Sequence, residues 1–432
     1  MDKSNKGYLI LLFFISPFFG LMNIFKLKKE KDLLFFGTLF FGLAGSLFVY
    51  KDGADGFAHR LNATANYSDM SLLDFFERSY LVLTFNAVEG STDIYIHIIS
   101  FISASIFQMP ELIHVLAGLV LGYFFTKSVL LVLGSQLNEK KGYILLGFIA
   151  LFLLIRSISA INSIRMWTGM WVLFYGTYSY AIKKDKKYIF ISLFSIFVHF
   201  SYAIIIIPVI GGYLLQNRKK ILVGMYVVSF FTTIGFSAVE SYIPQSKLIE
   251  NKQNGYGITS EADEEFYELK SQRVQAANND ANFYKGFGQN IYFSFSIVGL
   301  SMILILFYLK KDVGANLKFL IALGLSIYLF SNLVDFSPSL QFRSKMIAST
   351  FILAAAIQLQ LTLQSYRLRQ RAMQGLNIGF VAFLISSIPV ALFHISYILS
   401  ITSFFIFFFP EIAWLLGDGD YSIRGLIGLL ID

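Results

Sequence analysis

The chain reads as an all-α, polytopic membrane protein with roughly 11–13 membrane helices, a re-entrant or broken hairpin and a large outer loop. Three observations predict this class. First, 56% of its 432 residues are hydrophobic and 14% charged, against about 25% charged in soluble domains, too few to cover a soluble surface. Second, the apolar residues fall in long runs. Third, the basic residues come in short clusters between those runs: Lys26–Lys31, Lys140–Lys141, Lys183–Lys187, Arg218–Lys220, Lys310–Lys318 and Arg367–Arg371. Basic loops gathered on the cytoplasmic side are the orientation signal of multi-spanning proteins. The net charge of +8 is thereby accounted for by orientation and by anionic headgroups, and needs no nucleic acid.

A spanning helix takes about 20 apolar residues. The first candidate, 7–25, follows Lys3 and Lys6 as a signal peptide would. It lacks a small-x-small cleavage site and leads into another apolar segment, so it reads as retained. The others are 33–50, 111–133, 143–161, 165–182, 221–239, 291–309, 318–334, 346–364, 375–396 and 398–416. No repeat and no low-complexity linker divides them, so residues 1–432 read as a single transmembrane domain.

If every basic cluster lies on one side, each interval between clusters crosses an even number of times. Segment 93–107 is too short to span and is expected as an interfacial or re-entrant helix, which puts the N-terminus outside. Segment 188–216 begins and ends beside basic clusters and is interrupted at His199 and Pro208. It is expected either as a broken re-entrant hairpin, irregular backbone being tolerated where it lines a cavity, or as two short helices that cross fully and meet at an outer turn near His199. The outer face then carries the region 51–110, the loop 240–290 and the turn 335–345. The loop's amide and aromatic residues, among them Asn251, Tyr256, Asn282 and Tyr284, suit sugar hydroxyls and ring faces, and suit a solvated loop nearly as well.

Candidate chemistry falls on that outer face. Arg156 and Arg165 are expected at an outer turn, Arg343 at another, with no matching buried acids. Arg156 by itself fits snorkelling to the headgroups. Arg165 with Arg343, and Arg156 as a third cation, fit an anionic phosphate-bearing ligand, which guanidinium groups hold bidentately. His199 lies in Phe197-Val198-His199-Phe200-Ser201-Tyr202 and reads either as a packing hydrogen-bond partner or as a base facing a cavity. His97, His114 and His394 read as structural, and no histidine spacing matches a metal site. Asp52 and Asp55 sit in a Gly-rich stretch after the second apolar segment, and Glu89, Asp93 and Asp335 are further outer acids, any of which could serve as a general base. The absence of cysteine excludes thiol catalysis. No P-loop, Gly-x-Gly-x-x-Gly or Gly-x-Ser-x-Gly motif occurs. Without a nucleotide site, an outer-face reaction must draw its energy from the substrate or a gradient, and a lipid-linked diphosphate donor meets that need.

The order of these residues resembles a known family. An outer Asp-x-aromatic (Asp55, Phe57) is followed by an Arg opening a helix (Arg165), a His-x-Ser (His199, Ser201) and a late outer Arg (Arg343). This is similar to the EpsG-like branch of Wzy-type O-antigen or capsule repeat-unit polymerases. Phe57 stands where a Tyr is usual, and Met166 where a Gln often follows the Arg. The resemblance implies a GT-C-like, metal-independent membrane glycosyltransferase without cofactor, in the bacterial inner membrane with its active site facing the periplasm or exterior. It implies polymerisation of polyprenyl-diphosphate-linked repeat units. Arg165 and Arg343 would hold the diphosphate, and His199, Asp55 or Asp335 would orient or deprotonate the acceptor hydroxyl. The implied partners are the lipid-linked donor and acceptor glycans, membrane lipids, and a chain-length regulator and flippase. The competing readings are a lipid-linked oligosaccharide flippase and a polysaccharide ligase. A flippase is usually built from repeated halves with short loops, which this chain lacks; a ligase would use the same donor and the same arginines.

Overall fold

Apolar runs deprived of water must satisfy their backbone groups internally, which favours helices. In the computed structural model of the protein, 87% of the described residues are helical and none is in a strand. It describes residues 3–24, 27–46, 55–84, 86, 93–134, 142–232, 291–309, 314–334, 338–365, 370–408 and 422–431. The loop 240–290, Asp52, Glu89 and Asp335 lie outside them.

The helices are α1 (Lys3–Ile15), α2 (Pro17–Ile24), α3 (Glu30–Ser46), α4 (Asp55–Tyr67), α5 (Leu72–Leu83), α6 (Ile94–Ser100), α7 (Leu112–Leu133), α8 (Tyr143–Leu154), α9 (Ile164–Lys183), α10 (Lys187–Val198), α11 (Tyr202–Leu215) and α12 (Lys219–Val228). After them come α13 (Ile291–Leu309), α14 (Ala315–Leu333), α15 (Pro338–Ser365), α16 (Gln370–Ser386), α17 (Ile388–Ile401), α18 (Phe404–Phe408) and α19 (Ile423–Ile431). A π-helical turn, Phe101–Ile106, extends α6, and a 3-10 helix, Ile158–Ser163, leads into α9. Among the described residues, five stretches are long and apolar enough to cross a membrane: Leu112–Leu133, Tyr143–Lys183, Ala315–Leu333, Ser339–Leu363 and Gly375–Ile401. The expected span 291–309 appears as the shorter apolar helix Phe293–Leu309, and Lys187–Val198 and Tyr202–Leu215 are shorter apolar helices as well.

The segment expected as one span over 7–25 is broken. Pro17 disfavours a helical residue before it, and α1 ends at Ile15. The two pieces fold against each other, with Gly20 against the Phe13 ring. Lys6 forms an ion pair with Asp32 at the start of α3, and Phe13 stacks on Phe36. Lys6 therefore lies at the same end of the bundle as Lys28–Lys31, and α1 runs parallel to α3. The expected N-terminus opposite the basic clusters is corrected: the first segment doubles back instead of crossing.

From there the chain alternates direction. α3 and α7 are antiparallel and in backbone contact; a Cβ on Gly45 would overlap the His114 carbonyl, and one on Gly118 the Phe41 carbonyl. α10 lies along α9, where Gly176 leaves room for the Ser192 backbone. At the other end of that pair the Tyr202 ring covers Gly169, and its hydroxyl donates to the Met166 carbonyl at 2.6 Å. The break at His199 thus stands level with the first turn of α9, a helix of 20 residues and about 30 Å. α11 returns along α14, tied by Ser326 Oγ donating to the Pro208 carbonyl at 2.7 Å. Segment 188–216 is thus two short helices, Lys187–Val198 and Tyr202–Leu215, broken at His199.

Basic residues collect at one end. Lys318 bonds Asn217, and Lys219 lies over the Tyr308 ring, near Lys6 and Lys28–Lys31 in level along the helices. The opposite end is capped by α4, α5 and α6. These form their own apolar core around Tyr67, Tyr95, Ile99 and Ile113, which also takes in Ile164 and Val198. Region 51–110 is therefore, over its described residues, packed structure. His97 is fixed inside it by Tyr67 Oη at 2.9 Å and by Phe75 and Ser79, as a structural histidine should be.

Candidate functional site

At the end away from the lysines, three separate pieces of chain meet on one carboxylate. Asp93 precedes α6 in extended conformation, and its side chain makes no cap to that helix. It turns instead to its neighbours. Arg165 Nη1, in the first turn of α9, donates to Asp93 Oδ2 at 2.6 Å. The Phe200 backbone N–H donates to Asp93 Oδ1 at 2.8 Å. His199 Nδ1 lies 3.5 Å from Oδ2.

The break between α10 and α11 supplies that geometry: His199 leaves the helix extended, and the next amide turns toward Asp93. Asp93's side chain is 1% exposed, so it can be ionised there only because cations and N–H groups surround it. The Arg165 side chain is 29% exposed.

Arg343, half-buried in the first turns of α15, lies within electrostatic reach of both His199 and Tyr202. The structure therefore sets Arg165 and His199 about Asp93, with Arg343 within electrostatic reach of His199. It corrects one premise: Arg165 does have a matching buried acid. Among the described residues, with His199 neutral, Asp93 sets one negative charge against the two arginines.

Arg156 is placed in an adjoining cavity of about 310 Å³ lined by Trp167, Phe342, Phe393, His394 and Tyr397. Its backbone sits at φ 55°, which ends α8 and turns the chain into the 3-10 helix. Its carbonyl accepts from Trp171 Nε1 at 2.9 Å, and its guanidinium stacks 3.9 Å from the Trp167 ring centroid. Arg156 is thus held inside the protein, and the reading that it snorkels alone to headgroups is corrected. The two sites share walls: Met166 and Trp167 on α9, and Phe342 and Arg343 on α15, are neighbouring residues that serve one site each.

Asn162 ties the cap to this wall. Its Nδ2 donates to Tyr397 Oη at 2.7 Å, and its Oδ1 accepts the Gly56 N–H at 3.0 Å. Asp55, the first residue of α4, is thereby anchored by its neighbour beside the 3-10 helix that precedes Arg165. Its side chain, like Asp335, lies outside the described residues. Among the described residues no group of His, Asp or Glu converges as metal ligands would.

Sequence reasoning undervalued Asp93, naming it only among several outer acids, and missed Asn162, Trp167 and Tyr397. The available signal for Asp93 was a lone carboxylate immediately before an apolar helix too short to span. Compared with protein-family models, curated proteins and solved structures, the chain matches none.

Proposed function

We propose that the protein is a membrane glycosyltransferase that polymerises polyprenyl-diphosphate-linked repeat units, at the face opposite its basic loops. The observation that carries this reading is the cluster of Arg165 and Arg343 around Asp93 and His199, two guanidinium groups against one carboxylate among the described residues, beside the aromatic cavity of Arg156. Guanidinium pairs suit a diphosphate, and aromatic faces suit sugar rings. The donor's anomeric carbon–oxygen bond to the diphosphate breaks while a bond forms to the acceptor hydroxyl. Arg165 and Arg343 hold the diphosphate and stabilise the charge that grows on it as it leaves. His199, whose Nδ1 lies 3.5 Å from Asp93, takes the acceptor's proton on its other ring nitrogen. The orientation this requires puts the lysine-rich end in the cytoplasm of a bacterial inner membrane and the site outside. A chain-length regulator and a flippase are the partners such a reaction would need.

The test is deletion of the gene in its host, followed by gel separation of the extracted surface glycan. Anchor lipid bearing a single repeat unit supports the polymerase. Loss of all surface glycan makes the protein a flippase, and full-length polymer left on its carrier makes it a ligase. Complementation with Arg165→Ala is expected to insert normally and restore no ladder; a wild-type ladder from that variant refutes the assignment.

A further inference from the structure

The lysine-rich end holds a second, larger cavity, of about 700 Å³, between α3, α7, α9, α14 and α15. Lys31, Lys127 and Lys183 line it, with Glu30, Tyr175 and Gln358. Its chemistry differs from that of the arginine cluster: point-charge ammonium groups with amide and hydroxyl donors.

Lys127 is the informative member. It lies more than one turn inside the end of α7, a candidate span, where an ammonium group is costly and tends to mark a site. Its observed contact is with the face of Tyr123, 5.8 Å from the ring centroid, and it forms no ion pair among the described residues. The nearby buried acid, Asp32, is already taken by Lys6. Lys183 donates to the Tyr188 hydroxyl at 3.0 Å and forms no ion pair among the described residues. Among the described residues that line the cavity, three ammonium groups face one carboxylate, the exposed Glu30. Gln358, bonded to the Val132 carbonyl near the C-terminus of α7, holds that wall in place.

We propose that this cavity binds a phosphate-bearing anion, at the end of the bundle opposite the Arg165 cluster. The phosphate enters among Lys31, Lys127 and Lys183, and the leucines around the mouth, Leu34, Leu130 and Leu361, suit an attached acyl chain. The same chemistry is offered by a phospholipid headgroup and by free phosphate.

The test uses the full chain in nanodiscs of phosphatidylcholine, alone, with phosphatidylglycerol, or with inorganic phosphate titrated in. The thermal unfolding midpoint and the lipid retained in native mass spectrometry are read. Phosphatidylglycerol is expected to raise the midpoint, with affinity falling about fivefold for each lysine removed. Lys127→Arg should keep the effect and Lys127→Gln lose it. Lys187→Gln, an exposed lysine paired with Asp185 outside the cavity, should change nothing. A Lys127-dependent response to inorganic phosphate supports the site and names the free ion as its ligand. If Lys127→Gln does not fold, the exposed Lys183→Gln gives the same readout. Equal responses of the wild type and these variants to phosphatidylglycerol, with no lysine-dependent response to phosphate, overturn the proposal.

Discussion

Asp93→Asn removes one charge from the centre of the candidate site and changes almost no volume. The amide oxygen still accepts the Phe200 N–H, bonded at 2.8 Å to Oδ1 in the native chain. What is lost is the charge opposite Arg165, whose Nη1 lies 2.6 Å from Oδ2. Unit charges about 4 Å apart at an effective dielectric near 20 attract by roughly 4 kcal/mol before desolvation. Breaking a fully buried pair costs roughly 3–5 kcal/mol because the survivor is left uncompensated. Arg165 is 29% exposed and recovers part of its hydration, so the expected cost is at the low end, about 2–3 kcal/mol. Asp93→Ala also strands the Phe200 amide, adding roughly 1–3 kcal/mol. Reversible unfolding in mixed micelles measures these values, and a double-mutant cycle with Arg165→Gln isolates the pair. A coupling of about 2 kcal/mol is expected; single effects that add to within about 0.5 kcal/mol refute the pairing. The glycan ladder gives the functional arm: Asp93→Asn should weaken chain extension, since His199 loses the group that faces its Nδ1.

Gly118→Ala should separate α3 from α7, because the new methyl meets the Phe41 carbonyl, and should cost about 2 kcal/mol of stability; Gly299→Ala, with open space around it, should stay within about 1 kcal/mol of wild type in the same melting experiment. Arg156→Lys keeps the charge but loses the planar stack on Trp167, so about 1 kcal/mol and a shift in tryptophan emission are expected. The Ser71 hydroxyl and N–H hold the Asp74 carboxyl below its usual value, so its contribution to the start of α5 is present above the ordinary carboxylate pKa and is lost as pH falls below it. A spin label at Glu77→Cys, unique in a chain without cysteine, should loosen on acidification below about pH 4, and Ser71→Ala should remove that pH step.

The class of fold was open to reading because it depends on transfer of side chains between water and lipid, which is additive along the chain. Runs such as 291–309 and 165–182 need only their own composition to become helices, and α13 and α9 match them closely. The alternation of basic clusters and apolar runs likewise foretold that Lys183–Lys187 and Arg218–Lys220 share an end, since hydration of ammonium groups is a local property. His199 as a break and Arg165 as a helix opener were legible for the same reason.

What the tertiary structure alone decided is pairing. Nothing along the chain says that Asp93 meets Arg165, because their separation is set by how α6, α9 and the α10–α11 turn pack. The same holds for Arg156, whose turn at φ 55° and stack on Trp167 converted an expected surface cation into a cavity wall. The N-terminal segment went astray because a hydropathy window does not register that a kink at Pro17 lets Lys6 reach Asp32. Burial energies sum over sequence, whereas ion pairs and cavities depend on distances between residues far apart in it, and those exist only once the helices have packed.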